Sequence, residues 1–399
     1  MATTQSKVLT DQQIAGYNRD GYLILRDVVS KGDADELRQL TRRELDRLSF
    51  PPSLKYPASG KYTISGNSLA EPGFAPIAEH LTVVDAVECL FGEPAYLTAY
   101  VAYLRSPGDK GSGAHCDYKR WRPVGSSMNW LFAVIPLTDF NADNGPLLVS
   151  PGSHKLLNVI DKNERIWDVS RPNAKQLADF IDPELKAGDL LLMHGGTWHN
   201  APASTTSEDR AGIFNKYCAV SAPPAAGYYP YNTAAYESLS DPMKHLIPAH
   251  SDRAILNTRL VVEQESGSDS QYLVMKGPEG LPQLPGGLGW EEDDVGWDVG
   301  ARIGALQSLA KEQLGVDIPW MSFIDDADEG DSLCRRYGFV SSNGVFDSVG
   351  GDVHWMSEPE LVNALGEQNS VCSAIRSWKE DEVVRGMGKA ICQRKKQYK

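Results

Sequence analysis

No stretch of this chain is apolar for long enough to cross a membrane; the longest apolar runs, AYLTAYVAYL and NWLFAVIPL, are strand-sized. Positive charge is also scarce, with 39 Lys and Arg against 53 Asp and Glu and a formal charge of −14. A nucleic-acid or anionic-membrane partner needs a basic face, so neither is expected. The one dense basic run, QRKKQYK (393–399), reads as a solvated tail. The six cysteines are scattered and form no C-x-x-C pair, which excludes a zinc knuckle or a dithiol redox motif. The opening MATTQSKVLTDQQ has neither the charged nor the apolar region of a secretory signal, so reduced thiols and a cytoplasmic setting are expected.

At 399 residues, 41% hydrophobic and 23% charged, the chain reads as an ordinary globular protein of two domains. Helical spacing of apolar residues predicts helices near 33–48 and 76–91, with Gly92 ending the second. From 95 to about 220 the pattern changes to short apolar runs separated by turn residues: AYLTAYVAYL, NWLFAVIPL, GPLLVSP, GDLLLMH and AGIFNKYCAV. That series predicts a jelly-roll or cupin-like β sandwich and not a parallel α/β sheet. The polar EQESGSDS reads as a linker, which divides the chain into 1–265, 271–365 and a C-terminal helix and tail, 366–399.

The chemistry sits in His115-Cys116-Asp117, with His199 downstream and Arg210 eleven residues beyond it. Two imidazoles and one carboxylate are the ligand set of a facial-triad Fe(II) site. On a strand, residues i and i+2 share a face, so His115 and Asp117 point together while Cys116 points away. Arg210 adds a planar charged fork suited to a carboxylate. A second H-x-D, His250-Ser251-Asp252, lies in polar surroundings and reads as surface or helix-start chemistry. Tyr118, Trp121, Trp130, Trp198 and Tyr103 flank the motif as packing or as a pocket wall, and Lys119, Arg120 and Arg122 read first as a solvated loop.

The segments YNRDGYLILRDVVS, HCD, PLTDFNADNGPLLVSPGSHK (136–155) and GDLLLMHGGTWHNAPASTTSEDR (188–210) resemble the phytanoyl-CoA dioxygenase-type Fe(II)/2-oxoglutarate oxygenases. The resemblance covers roughly half the chain and implies a double-stranded β-helix (jelly roll) with flanking helices. It also implies His115, Asp117 and His199 as metal ligands and Arg210 as the anchor of the cosubstrate's far carboxylate. His194, the competing histidine, falls to packing or to a supporting position because the arginine spacing favours His199. Ser153 is expected to donate to 2-oxoglutarate or simply to form a turn, with Asn129 as a weaker cosubstrate contact. Retention of Asp117, where halogenating relatives carry a small residue, implies hydroxylation of a small organic substrate with O2, releasing succinate and CO2.

LPQLPGGLGWEEDD and ALQSLAKEQLGVDI (281–318) resemble, more weakly, a Nudix domain of α+β type. Ser308-Leu309 and Glu312-Gln313 stand where its box carries R-E and E-E, so too few carboxylates remain for divalent-metal chemistry. A non-hydrolytic role in packing, dimerisation or substrate access follows. The competing readings are a scaffold that has lost catalysis and a Nudix-type hydrolase with a vestigial oxygenase domain.

Overall fold

The computed structural model describes residues 8–47, 61–116, 129–156, 177, 179–224, 227–266, 269–287, 299–315, 318, 321–341, 353–382 and 385. Two compact units result, one taking most of the chain to Asp252 and the other most of it from Arg253. The expected boundary at 265 therefore moves upstream.

The first unit opens with the helix Asp11–Asp20, started by a capping box between Thr10 and Gln13 and closed by Gly21 at φ 79°. Ten strands follow in its described residues: β1 (Tyr22–Leu25), β2 (Lys61–Ser65), β3 (Ala95–Ala99), β4 (Val101–Arg105), β5 (Ser112–His115), β6 (Trp130–Pro136), β7 (Leu148–Val149), β8 (Leu190–His194), β9 (His199–Ala201) and β10 (Arg210–Ala219). One antiparallel sheet runs β1-β8-β6-β10-β4-β2, with β3 also on β10; a second runs β5-β9-β7, and Ile181 bridges to Val149 at its edge. From β4 to β10 successive strands step between the two sheets, and β4, β10, β6 and β8 lie side by side. That alternation is the expected jelly-roll order.

Alternation along the strands builds the core. Phe132 and Val134 of β6 and Leu191 and Met193 of β8 cluster with Val149 of the smaller sheet, and Tyr22, Ile24 and Phe214 pack against them. Residues two apart on a strand share a face, so these side chains meet between the sheets, while β6 is buried along its whole length. The helix predicted near 33–48 is Lys31–Arg47. That predicted at 76–91 is broken at His80 into Ala75–Ala78 and Leu81–Phe91, and Gly92 ends it in the left-handed region as expected. AYLTAYVAYL, which reads as one run, is two strands on β10, interrupted at Tyr100, whose N–H donates to the Tyr231 hydroxyl at 2.9 Å.

The second unit is α+β. Its described strands are β11 (Ile255–Ser266), β12 (Asp269–Lys276), β13 (Pro282–Gln283), β14 (Ser322–Asp328), β15 (Leu333–Val340) and β16 (Val353–Ser357). They form one mixed sheet, β13-β12-β11-β15-β14 with β16 on β12, in which β11 and β15 run parallel. EQESGSDS is not a linker: β11 and β12 pair through Ser266↔Asp269, so the segment is the end of a hairpin. The helix Ser370–Glu380, expected as a separate tail, belongs to this unit. Its Trp378 is buried, and the indole N–H donates to the buried Glu263 carboxylate at 2.7 Å.

Candidate metal and cosubstrate site

β5 and β9 pair antiparallel with His115 directly opposite His199, and the two imidazole centroids are 4.3 Å apart. Each ring is set by its own strand. His115 Nδ1 lies 2.7 Å from the Gly113 carbonyl, and His199 Nδ1 lies 3.0 Å from the Thr197 carbonyl. A carbonyl only accepts, so both Nδ1 atoms carry the proton and each neutral ring has its lone pair at Nε2. This is the arrangement by which a protein fixes the tautomer of a metal-binding histidine. Asp117 lies outside the described residues, as do Tyr118, Lys119, Arg120, Trp121 and Arg122. Cys116 is buried.

His194 has the opposite tautomer. Gly196 N–H donates to its Nδ1 at 3.0 Å, so the neutral ring carries its proton on Nε2. Its ring packs near His154, at 5.1 Å between centroids, and Tyr17, at 6.4 Å. His250 stacks on Tyr236 at 4.0 Å, and Asp252 accepts from Thr233 N–H at 2.8 Å at the start of the helix Thr233–Glu237. The second H-x-D is helix-start chemistry, as expected.

The approach to His199 is braced on both sides. Thr197 Oγ1 donates to Gly21 O at 2.8 Å, and a Cβ on Gly21 would lie 2.6 Å from that hydroxyl, so the helix can end here only on glycine. Ser153 Oγ donates to Ser150 O at 2.6 Å and accepts from Trp198 N–H at 2.8 Å. Its single proton is already committed, and the hydroxyl clamps the backbone one residue before His199. Asn129 directs its amide towards Phe91 O, at 3.5 Å, at the end of a helix.

Arg210 opens β10, opposite Arg105 of β4. Its predecessor Asp209 is gripped by Arg38, at 2.6 Å, and by Arg42, both on the helix Lys31–Arg47. Arg210 is 3% exposed; Nη1 donates to Gly145 O, the guanidinium carbon sits 4.4 Å from the centre of the Phe140 ring, and Nε is buried without a hydrogen-bond partner among the described residues. Burial pulls its pKa down to about 10, and the nearby Arg105 charge pulls in the same direction against Tyr103 and Asp109. Among the described residues no carboxylate forms an ion pair with it. A buried cation with an unsatisfied donor fits an incoming carboxylate.

Three residues of the site were not singled out from sequence: Arg105, Asp109 and Gly145. Arg105 and Asp109 are 1% and 0% exposed and form an ion pair, with Arg105 Nε at 2.9 Å from Asp109 Oδ1. Arg105 Nη1 donates to Gly145 O at 3.0 Å, the carbonyl that Arg210 also uses. The spacing R-S-P-G-D was a usable signal only if read as a turn leaving a strand.

Residues 17–212 match the family described as phytanoyl-CoA dioxygenase (PhyH). An ectoine dioxygenase of Sphingopyxis alaskensis is 26% identical over 248 residues, covering 55% of this chain and 78% of that protein. A methylphosphonate hydroxylase of Gimesia maris is 25% identical over 226 residues, covering 53% and 82%. Among solved structures, that of the epimerase SnoN in complex with Fe3+, alpha ketoglutarate and nogalamycin RO is 25% identical, covers 53% of this chain and 84% of its own, and has a TM-score of 0.45. Over residues 17–212 the chain is similar to the phytanoyl-CoA dioxygenase family, and its enzyme class is that of the Fe(II)- and 2-oxoglutarate-dependent dioxygenases.

Proposed function

We propose that the first unit oxidises, most simply by hydroxylation, a C–H bond of a small organic substrate, with His115, Asp117 and His199 holding Fe(II) and Arg210 holding the far carboxylate of 2-oxoglutarate. The observation that carries this reading is the His115–His199 rung, in which both Nδ1 protons go to backbone carbonyls, so that each neutral ring carries its lone pair on Nε2, the tautomer a shared metal needs. Held by these three residues with 2-oxoglutarate, Fe(II) would supply the oxidising chemistry, with succinate and CO2 as the products of the cosubstrate.

The protein's own part is orientation. Gly113 and Thr197 carbonyls hold the imidazoles in one tautomer, and the Ser153 clamp and Thr197–Gly21 bond hold the segment that presents His199. Arg210 meets an anion in a dry setting, where a bidentate charge-assisted pair is strongest. Relatives named for ectoine and methylphosphonate support a compact substrate. We further infer that the second unit is Nudix-like and does not hydrolyse diphosphates. Gln313 of the helix Val299–Leu314 accepts from Gly286 N–H at 2.9 Å and donates to Gly286 O at 3.1 Å, a two-way bond that an ionised glutamate cannot make.

The test is anaerobic loading with Fe(II) and 2-oxoglutarate, then O2 and candidate substrates, with succinate as the readout. His115→Ala and Asp117→Ala are expected to lose iron binding and turnover together. Full activity in both overturns the assignment, and Mg2+-dependent diphosphate hydrolysis overturns the reading of the second unit.

A further inference from the structure

We propose that Arg105 and Asp109 are positioning residues that set the separation between Arg210 and the His115–His199 pair, and with it the length of 2-oxo diacid the site accepts. The inference rests on the reading of Arg210 as the anchor of the far carboxylate.

Arg105 lies across the β4–β10 rung from Arg210, yet all three of its nitrogens are already engaged. Nε and Nη2 go to Asp109 Oδ1, Nη1 to Gly145 O at 3.0 Å, and Nη2 also to Pro202 O at 3.0 Å. Of these three buried ionic groups, Arg105 and Asp109 cancel, and Arg210 alone is left to meet an anion. The pair also ties together the strands that matter. Asp109 Oδ1 accepts from Gly111 N–H at 2.6 Å, one residue before the strand of His115, and Asp109 O accepts from Ser204 N–H at 2.8 Å. Pro202 follows the strand of His199. Gly145 O then joins this hub to Arg210 itself.

The packing leaves no slack. Gly145 stands at φ +71°, and a Cβ there would lie 2.3 Å from Pro202 O and 3.0 Å from Arg105 Nη1. A Cβ on Gly111 would lie 2.3 Å from Ala201 O. Asp109 Oδ2, by contrast, is buried with no hydrogen-bond partner among the described residues. An ion pair tuned for stability alone would satisfy that oxygen or be replaced by apolar residues. Rigid support of a reacting geometry is the role that accounts for keeping it.

The experiment is isothermal titration calorimetry of the full chain loaded with Mn(II), using 2-oxoglutarate and its one-carbon-longer homologue 2-oxoadipate. Wild type is expected to prefer 2-oxoglutarate by about 10- to 200-fold, the range for one misplaced methylene. Asp109→Asn and Arg105→Lys are expected to cut that preference to about 3-fold or less while Mn(II) affinity stays within about 2-fold. A variant that weakens both acids equally, or only lowers Tm with the preference intact, shows a merely structural pair and overturns the inference. Equal binding of both acids by wild type overturns it without any variant. Binding of neither acid by wild type overturns the underlying assignment of Arg210 instead.

Discussion

Replacing Arg210 by methionine separates its two burdens, on stability and on binding, because they have opposite signs. Truncating a large buried side chain ordinarily costs about 2–5 kcal/mol. Here the chain is nearly isosteric, and what disappears is a buried cation that burial already disfavours, with its pKa down at about 10. Gly145 O keeps its bond from Arg105 at 3.0 Å, so no buried acceptor is orphaned. Apo Arg210→Met is therefore expected to lose no more than about 1 kcal/mol relative to wild type, or to gain stability. Ligand binding is expected to behave differently. At a hundredfold excess over Kd, a ligand adds about 2.7 kcal/mol. That is a Tm rise of about 5–11 °C for a unit of this size. In thermal melts of the Mn(II)-loaded protein, 2-oxoglutarate should raise Tm for wild type and leave Arg210→Met unmoved. A methionine variant that is destabilised by about 3 kcal/mol or more, or that still responds to 2-oxoglutarate as wild type does, refutes the reasoning.

Other outcomes follow from the same contacts. Ser153→Ala leaves Trp198 N–H without its acceptor and should cost about 1–3 kcal/mol in urea unfolding, with 2-oxoglutarate affinity changed less than about 2-fold. His194→Gln should retain stoichiometric Fe(II) binding while His199→Ala loses it, because only His199 has its lone pair at Nε2. Gly145→Ala should unfold near room temperature or lose several kcal/mol, since its Cβ would sit 2.3 Å from Pro202 O at a positive φ. In the second unit, burial pushes the Glu263 carboxyl up, but Arg385, Ser270 and Trp378 together hold it below its ordinary 4.5. A depressed carboxylate contributes stability that is full above its unfolded pKa and is lost as pH falls through the lower folded value. Acid titration of wild type should show this loss below pH 4.5, and Glu263→Gln should be less stable at neutral pH with a flatter acid limb.

The jelly roll was legible because its large-sheet strands are long apolar runs, as in NWLFAVIPL. The small sheet was not, because β5 is SGAH and β9 is HNA, segments with almost no apolar content. That His115 faces His199 across one rung is a fact of register, which no spacing along the chain encodes. EQESGSDS looked like a linker for a related reason: the ends of β11 and β12 are polar, and only their pairing makes them a hairpin. Arg105 and Asp109 show i, i+4 spacing, which suggests a helix, whereas the structure joins them across a turn at the end of a strand. Ser153 was read from its place in PGSH, and the clamp on Trp198 appears only when residues 45 apart meet.

The central claim is that one metal on His115, Asp117 and His199 and one anion on Arg210 form a single site. Calorimetric titration of 2-oxoglutarate with and without Mn(II) tests it most directly, in wild type, Asp117→Ala and His199→Ala. The account expects one equivalent of 2-oxoglutarate to bind wild type tightly only with metal present, and both variants to lose that metal-dependent binding. Wild-type binding that ignores the metal, or variants that bind as wild type does, would contradict it.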